Sequence, residues 1–325
     1  MITETVAIIT TLVVVLGICK LFLPSAKINP QDKAVLITGC DTGFGHELAK
    51  CLHSLGFVVF AGCLDVQGEG ALRLKDVPSE SGGRASKKLH VIQMDVTKED
   101  QVSDAVQTVL SLLPKSTGLW AIVNNAGIST FGDVEFCGLD VYQRVANVNL
   151  WGAIRVCKAF LPLLRKTKGR VVNVTSVLGR QASMGRSCYV ATKHALEGFT
   201  QCLRYEMRNW DVKTVIVEPG NFIGATGIFT QDKIDHIAEE MWRSMSEEVK
   251  ESYGEDFFQS RVQRMRFFTR TGNTNTQPVL DAMIDAVTDE IPRVRYEPKT
   301  LYWHIRTFVM TLLPHRVGDY FYHAN

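Results

Sequence analysis

Short apolar runs alternate with helical stretches over most of this chain, and this alternation limits the fold more than any other feature. Helical segments such as His46–Gly56 and His194–Trp210 separate six runs rich in β-branched residues. The runs have the near-continuous hydrophobicity of strands that are buried on both faces. They are Lys33–Gly39, Phe57–Gly62, His90–Val96, Leu119–Gly127, Gly169–Ser176 and Val212–Gly220. Repeated strand–helix units predict an α/β fold, a doubly wound, Rossmann-type parallel sheet in a single domain.

An apolar segment, Thr5–Leu23, precedes the first strand and contains a single charge, Lys20. As a helix it would rise ~1.5 Å per residue and span ~28 Å, close to the thickness of the hydrocarbon core of a bilayer. A cleaved signal peptide is the rival interpretation, but no basic residue precedes the segment and the cleavage site after Pro24-Ser25-Ala26 is poor. We therefore predict a hydrophobic anchor and linker over residues 1–30. Because lysines follow the segment, the body is expected on the cytosolic side of the membrane.

Two segments follow the last core strand and lack its pattern. From about residue 227 to residue 271 the sequence is charged and helical, with Met and Phe side chains and no strand signal. Its position after Pro219-Gly220 predicts a lid over a substrate cleft, and an ordinary pair of surface helices is the alternative. Residues 296–325 interleave aromatic and basic side chains, as segments at a membrane interface do; a strand and helix packed on the domain edge is the alternative. The α/β domain itself is expected to span residues 31–295.

Composition argues against two other classes of function. The 325 residues carry a net charge of only +2, so the chain lacks the basic balance that is typical of a nucleic-acid binder. The eight cysteines form no C-x-x-C pair and have no histidine at zinc-ligand spacing. We therefore expect free thiols, no metal site and no nucleic-acid partner.

A glycine-rich turn lies where the first strand meets the first helix, with the sequence Thr38-Gly39-Cys40-Asp41-Thr42-Gly43-Phe44-Gly45. Glycines let the backbone approach a pyrophosphate closely, and the positive end of the helix faces the phosphate charge. A plain tight turn would also contain glycine. The turn therefore indicates a dinucleotide site only in combination with other residues.

Tyr189 and Lys193 lie four residues apart at the start of a helical run, so both side chains share one face. A nearby ammonium, assisted by the positive charge of an oxidised nicotinamide, favours the phenolate over the phenol. Tyr189 can therefore act as a general acid or base near neutral pH. Ser176, at the end of the fifth predicted strand, can bond the substrate oxygen. Asn149 can bond a backbone group or a water that continues a proton relay.

These residues, in this order and spacing, resemble the short-chain dehydrogenase/reductase family from about residue 33 to residue 226. The matching motifs are TGCDTGFG, Asp95, NNAG (Asn124–Gly127), Asn149, Ser176, YVATK (Tyr189–Lys193) and Pro219-Gly220. The resemblance implies a small-molecule alcohol or ketone as substrate, a homo-oligomer, and a catalytic set that comprises Asn149, Ser176, Tyr189 and Lys193. The cofactor contacts that we expect are Gly39, Asp41, Gly43, Phe44, Gly45, Asp65, Asp95 (at the adenine), Asn125, Ala126, Gly127, Tyr189, Lys193 (at the nicotinamide ribose), Pro219 and Gly220.

One position departs from the family pattern. Many members have a threonine four residues after the glycine of Pro-Gly, where it contacts the carboxamide of the cofactor. Here that position is Gly224, and Thr226 follows two residues later. The carboxamide contact is therefore not assigned to a residue.

The end of the second predicted strand, Phe60–Gln67, favours NAD over NADP. An NADP enzyme normally presents Arg or Lys to the 2′-phosphate, and this stretch contains neither. Gly62 stands where an NAD-selecting acidic residue usually occurs. Asp65, three residues later, can reach the ribose hydroxyls and would repel a phosphate.

Within the family, phrases such as NNAGISTFGDVEF and VEPGNF resemble the branch that holds hydroxybutyrate, retinol and hydroxysteroid dehydrogenases. The tail from Tyr296 to Pro314 is most similar to the mitochondrial, phospholipid-requiring hydroxybutyrate dehydrogenases. The implied reaction is the NAD-dependent interconversion of D-3-hydroxybutyrate and acetoacetate, with membrane phospholipid as a partner. A membrane-bound retinol or hydroxysteroid dehydrogenase is the alternative, and a non-catalytic binding protein is a third. The expected location is the endoplasmic reticulum membrane, facing the cytosol, or the mitochondrial inner membrane.

Arg186 favours an acidic substrate. A carboxylate in a partly desolvated cleft needs a cationic partner, and Arg186 lies three residues before Tyr189 on the loop that leads to the site. Soluble bacterial hydroxybutyrate dehydrogenases place a lysine at the corresponding position. However, Leu178 and Ser129 stand where those enzymes have polar carboxylate-binding residues. A solvated loop cation, or a salt bridge to the lid, is the alternative role for Arg186.

Overall fold

The computed structural model describes residues 25–78, 89–114 and 116–324, and a single parallel sheet runs through it. Its seven strands lie in the order β3-β2-β1-β4-β5-β6-β7. They are β1 (Lys33–Thr38), β2 (Val58–Cys63), β3 (Leu89–Gln93), β4 (Gly118–Asn124), β5 (Arg170–Val174), β6 (Lys213–Val217) and β7 (Arg295–Tyr296). The predicted parallel sheet is thus confirmed. Five of the six predicted runs extend one to three residues past the carboxyl end of the strand.

Helices cover both faces of the sheet. In chain order they are α1 (Gly43–Ser54), α2 (Glu69–Lys75), α3 (Glu99–Leu112), α4 (Leu139–Ala146), α5 (Ala153–Thr167), α6 (Ser187–Glu206), α7 (Gln231–Ser244), α8 (Glu247–Tyr253), α9 (Glu255–Thr269), α10 (Gln277–Thr288), α11 (Leu301–Leu312) and α12 (His315–Ala324). Leu48 of α1 and Met283 of α10 are buried in the core on one face. Val109 of α3, Phe160 of α5 and Leu203 of α6 are buried in the core on the other. This two-sided cover explains why the strands are apolar throughout.

The strand order places a crevice at the centre of the sheet. From β1 the chain moves outward through β2 to β3, and it then returns to place β4 on the other side of β1. The chain therefore continues to opposite faces of the sheet, to α1 after β1 and to α5 after β4. In open parallel sheets, ligands bind at this reversal point.

Residues 231–269, within the predicted lid, form the three helices α7, α8 and α9. They have an apolar core of their own, in which Ile234, Met241 and Phe258 are buried. Phe131 and Phe136, from the loop that follows β4, belong to the same core. The helical pattern is as predicted, while the role of a lid stays a prediction.

The C-terminal segment joins the edge of the sheet through β7, which pairs with β6, and continues as α11 and α12. The start of the C-terminal segment therefore matches the alternative prediction, a strand and a helix packed on the edge of the domain. The predicted anchor, Thr5–Leu23, lies outside the described residues. In the described ranges, no helix combines the length and the apolar character that crossing a bilayer requires.

A cluster of buried charges fastens this segment to the sheet. The carboxylate of Glu218, which directly follows β6, is completely buried. It pairs with Lys299 Nζ at 2.6 Å and with the guanidinium of Arg295, which also binds Glu197. Lys299 is itself completely buried and pairs with Glu297 at 2.7 Å. Charges at such depth are tolerated only when they are paired, so the cluster depends on all its members.

We expect that Lys299→Met lowers the free energy of unfolding by about 3–5 kcal/mol, because it leaves buried carboxylates without one of their cations. Lys27→Met is the matched control. Lys27 also pairs with two carboxylates, Asp285 and Asp289, but its side chain is 50% exposed, so its loss should cost at most about 1 kcal/mol. Urea unfolding followed by circular dichroism measures both values. Equal losses in the two variants would contradict the prediction.

Candidate active site

The glycine turn after β1 lies against the loop after β4. Gly39 and Gly43 have positive φ angles of 69° and 65°, a region that L side chains rarely adopt. A Cβ atom at Gly39 would lie 2.8 Å from Cα of Ala126, and one at Gly45 would lie 2.5 Å from Nδ2 of Asn125. Only glycine therefore allows this approach. The space next to Gly43 is open, because its nearest neighbour is Thr226 at 3.9 Å. The backbone groups of the turn thus face an open space, which fits a pyrophosphate.

Thr38 joins these two loops, a role that the sequence analysis missed. Its Oγ1 accepts hydrogen bonds from the backbone N–H groups of Asn125 (3.1 Å) and Ala126 (3.0 Å). The side chain of Asn125 donates in return to the carbonyls of Thr38 and Gly39, each at 3.0 Å. Thr38 is the last residue of β1, and in the sequence it resembles any other β-branched strand residue. No local signal separated it from its neighbours.

Asp41 and Asp65 form the acidic end of the crevice. The carboxylate of Asp41 accepts the backbone N–H groups of Leu64 (3.0 Å) and Asp65 (3.1 Å), which follow β2. Asp65 in turn accepts the N–H group of Gln67 at 2.9 Å. Both carboxylates line the central cavity, and they make this end unfavourable for a further phosphate.

Ser176, Tyr189 and Lys193 line one cavity of about 1560 Å³. Ser176 follows β5, and its Oγ accepts the N–H group of Leu178 at 3.1 Å. Tyr189 and Lys193 occupy successive turns at the start of α6, and Lys193 Nζ lies 5.6 Å from the centre of the tyrosine ring. Lys193 Nζ also donates to the carbonyl of Val174 at 2.9 Å. All three predicted side chains are therefore together, and none is more than 9% exposed.

Asn149 lies in a π-helical turn, Asn147–Gly152, between α4 and α5. Its side chain accepts the N–H group of Ile128 and donates to the carbonyl of the same residue, each at 2.9 Å. It also donates to Thr192 Oγ1 at 3.1 Å. Asn149 thus ties the loop after β4 to α6, in agreement with the prediction that it bonds a backbone group. π-Turns are frequent at functional sites.

Arg186 is a buried cation that points into the cavity. It is 7% exposed and lies over the rings of Tyr189 and Phe229, at 5.3 and 5.2 Å from their centres. Its Nη2 donates to Ser129 Oγ at 2.7 Å, whereas its Nε has no partner among the described residues. Burial lowers the pKa of Arg186 to about 10, so the side chain is still charged at neutral pH. At this burial Arg186 is not an exposed loop cation, and no carboxylate of α7, α8 or α9 among the described residues pairs with it.

The three helices of residues 231–269 and the segment before them provide an apolar wall of the cavity. Ile228, Ile237, Met265 and Phe268 line it. Thr226 also lines the cavity and faces the glycine turn. Its position makes it a candidate for the carboxamide contact that could not be assigned from sequence.

Three predicted site residues do not reach the wall of the cavity. Gly45 packs against Asn125, and Asn149 lies behind the loop after β4. The Asp95 carboxylate accepts the N–H and hydroxyl groups of Thr97, at 2.9 and 2.8 Å. The adenine contact of Asp95 stays a prediction. The other predicted residues all line the cavity: Gly39, Asp41, Gly43, Phe44, Asp65, Asn125, Ala126, Gly127, Ser176, Arg186, Tyr189, Lys193, Pro219 and Gly220.

Curated relatives and solved structures are consistent with this geometry. The chain is 47% identical over 301 residues to "D-beta-hydroxybutyrate dehydrogenase, mitochondrial" of Bos taurus, which covers 92% of this chain and 86% of the bovine protein. It is 41% identical over 270 residues to estradiol 17-beta-dehydrogenase 2 of Mus musculus, which covers 82% of this chain and 68% of the mouse protein. Its fold matches that of a short chain dehydrogenase/reductase from Burkholderia phymatum, crystallised with NAD, with a TM-score of 0.68 at 21% identity, over 87% of this chain and 94% of the other.

A match between the sequence and a family model identifies the family. The family model described as "short chain dehydrogenase" matches residues 33–234, which is more than half of the chain. The match contains the glycine turn, Ser176, Tyr189 and Lys193. The chain therefore belongs to the short-chain dehydrogenase family, whose members are oxidoreductases that act on alcohols.

Proposed function

We propose that this enzyme interconverts D-3-hydroxybutyrate and acetoacetate with NAD as cofactor. Arg186 is the observation that carries the proposal. It is a buried cation in the cavity of Ser176 and Tyr189, and no carboxylate of the described residues pairs with it. An unpaired buried charge is unfavourable, so the site favours a ligand that brings an anion. A 3-hydroxy acid provides a carboxylate for Arg186 and, two carbons away, a hydroxyl for Tyr189. The similarity to the bovine enzyme supports the same substrate.

The cofactor would lie along the crevice, with its pyrophosphate on the turn around Gly43 and its nicotinamide near Pro219-Gly220. Asp65 at the end of β2 supports NAD, because its carboxylate can accept ribose hydroxyls and would repel the 2′-phosphate of NADP. The Burkholderia phymatum protein of the same fold binds NAD. Bound nicotinamide supplies the acceptor for a hydride.

The residues of this chain then handle the proton. Ser176 Oγ bonds the substrate oxygen and orients it towards Tyr189. Tyr189 accepts the proton of the hydroxyl as the alcohol becomes a ketone, and it returns this proton in the reverse direction. The ammonium of Lys193, 5.6 Å from the centre of the tyrosine ring, would bond the nicotinamide ribose. Asn149 holds the loop after β4 and serves the proton relay.

A hydroxysteroid or retinol dehydrogenase is the second candidate. The apolar wall formed by Ile228, Ile237, Met265 and Phe268 would suit a lipophilic alcohol, and the similarity to estradiol 17-beta-dehydrogenase 2 supports the steroid. Such a substrate has no carboxylate, however, and Arg186 would then lie unpaired against it. We therefore prefer the acid.

We also propose that the protein is associated with a membrane phospholipid surface. Helix α11 carries four exposed apolar residues, Leu301, Ile305, Phe308 and Leu312. Their spacing along the helix places them on one face, as in helices that lie in the membrane interface. Together with the apolar segment Thr5–Leu23, this face supports a location at the endoplasmic reticulum or the mitochondrial inner membrane.

The orientation on the membrane can be tested directly. If Thr5–Leu23 anchors the chain with its body towards the cytosol, protease added to intact microsomes will digest the catalytic domain. Immunoblotting against the domain measures this. Protection until detergent is added would reverse the orientation, and co-fractionation with mitochondria would favour the other organelle.

The proton-transfer role makes a prediction about Tyr189. We expect Tyr189→Phe to lower kcat by roughly 10²- to 10⁴-fold, since it removes the general acid and base, while NAD still binds. Lys193→Ala should impair both turnover and NAD binding. Tyr205→Phe is the matched control, because Tyr205 lies on the same helix but is 65% exposed. Steady-state kinetics and fluorescence titration with NADH provide the measurements. A Tyr189→Phe enzyme that retains a tenth of the activity would contradict the assignment.

The acidic substrate makes a prediction about Arg186. Arg186→Leu removes a charge-assisted hydrogen bond worth about 1.5–3 kcal/mol, so KM for hydroxybutyrate should rise roughly ten- to 150-fold. Arg186→Lys, which keeps the charge, should lose less. The methyl ester should be a poor substrate of the wild type, and the leucine variant should discriminate less between ester and acid.

The same assay separates the two candidate functions. NAD reduction by the purified enzyme is measured with hydroxybutyrate, retinol and estradiol, with and without phosphatidylcholine. A wild type that oxidises retinol or estradiol but ignores hydroxybutyrate would overturn the first proposal. Arg186→Leu would then leave kcat/KM within a few-fold.

A further inference from the structure

Two arginines outside the catalytic set line the cavity at the junction of the lid helices and the C-terminal segment. Arg264 belongs to α9 and Arg306 to α11. Both are close to the loop that carries Met184. Arg264 Nη1 lies 4.0 Å from Met184 Sδ. Arg306 lies 5.1 Å from the ring centre of Tyr322, whose hydroxyl accepts the N–H group of Met184 at 2.8 Å.

The charge of these two arginines is not balanced locally. On the same helix as Arg264, Arg261 pairs with Asp133 and Arg266 pairs with Asp235. Arg264 and Arg306, by contrast, have no carboxylate partner in the part of the chain that the structure describes. Within the described residues, Arg306 lies against the rings of Trp303 and Tyr322 and donates to the hydroxyl of Tyr302, at 3.3 Å.

The cavity is accordingly polarised. Its acidic lining residues at the β2 end are Asp41 and Asp65, and at the substrate end only Asp133 is acidic among the described lining residues. Two basic lining residues are neutralised, Arg261 by Asp133 and Lys299 by Glu218 and Glu297, and Lys233 bonds the carbonyl of Gly227 next to the glycine turn. The remaining basic lining residues, which have no carboxylate partner among the described residues, belong to the substrate end: Arg186, Lys193, Arg264 and Arg306. A chain with a net charge of only +2 thus concentrates positive charge around one half of one cleft. Clefts of one sign raise the local concentration of oppositely charged ligands.

The two arginines lie on the way to the buried one. Met184, between them, is 44% exposed, and Arg186, two residues further along the same loop, is 7% exposed. An anion that reaches Met184 from solvent would meet Arg264 and Arg306 before it meets Arg186. The three cations therefore form a series from the cavity entrance to the catalytic residues.

We propose that Arg264 and Arg306 form an outer anion-binding site that captures the carboxylate of the acidic substrate and passes it to Arg186. This rests on the proposed function, and it adds residues that govern capture rather than turnover. The outer site is more exposed to solvent, so salt screens it more strongly than the buried Arg186. The outer site should therefore raise kcat/KM at low ionic strength, whereas the inner residues determine kcat.

The experiment compares wild type with the double variant Arg264→Gln/Arg306→Gln at saturating NAD. With hydroxybutyrate as substrate, we expect kcat/KM of the wild type to fall as ionic strength rises. At low ionic strength the variant should be lower by about tenfold, the lower end of the range of electrostatic steering, and the two should converge at high salt. kcat and the Kd of NADH should be unchanged. With the methyl ester, the two proteins should be alike at every salt concentration.

Arg243→Gln/Arg270→Gln is the matched control. It removes the same charge from exposed arginines that do not line the cavity, and it should behave as wild type. An equal dependence on salt in wild type and in the Arg264/Arg306 variant would overturn the outer site. So would an equal loss with the ester, or a lower affinity for phosphatidylcholine vesicles with an unchanged salt dependence for the acid.

The experiment gives different results if the proposed function fails and if only the outer site fails. A wild-type enzyme that oxidises neutral alcohols and ignores the acid overturns the proposed function together with the outer site. A wild type that prefers the acid, with a double variant that is indistinguishable from it, overturns the outer site alone.

Discussion

The buried carboxylate of Glu218 connects the catalytic sheet to the segment that completes the substrate cavity. It follows β6 directly and precedes Pro219-Gly220, where we place the nicotinamide. Lys299 and Arg295 pair with it from the C-terminal segment, and Arg295 also binds Glu197, one turn beyond Lys193 on α6. At this depth of burial these charges must remain paired. The position of α11, and with it the part of the cavity lining that Tyr302, Trp303 and Arg306 provide, therefore depends on this buried cluster.

The same segment gives the cleft its electrostatic asymmetry. The family domain alone, residues 33–234, includes Arg186 and Lys193 but not Arg264 or Arg306. Those two arginines come from α9 and α11. Arg264 contacts Met184 directly, and Arg306 lies against the ring of Tyr322 in α12, whose hydroxyl accepts the N–H group of Met184. Elements outside the family match thus add two outer cations to a cavity whose inner cation, Arg186, belongs to the common core. This is the expected division in a fold whose sites differ mainly in loops and added helices.

Much of the fold and of the catalytic site could be predicted, because both have local signatures. Six strands of the sheet were recognised by their apolar runs, and Tyr189 and Lys193 by their spacing on one helix face. Arg186 was recognised through its place three residues before Tyr189. The role of Thr38 could not be predicted, since its hydroxyl bonds the N–H groups of Asn125 and Ala126, which lie far away in the sequence. Glu218 and Lys299 were missed for the same reason.

The sequence by itself determined the parallel sheet, the glycine turn and the order of the catalytic residues, since backbone preference and side-chain period act over a few neighbouring residues. Only the tertiary structure decided which charges are neutralised. Nothing in the local sequence distinguishes Arg261, paired with Asp133, from Arg264, which has no carboxylate partner in the described part of the chain. The burial of Lys299 and of Arg186 could not be predicted from the local sequence either. Whether a charge is paired depends on groups that the fold brings next to it from distant positions in the sequence. Its energy also depends on how much water those groups exclude.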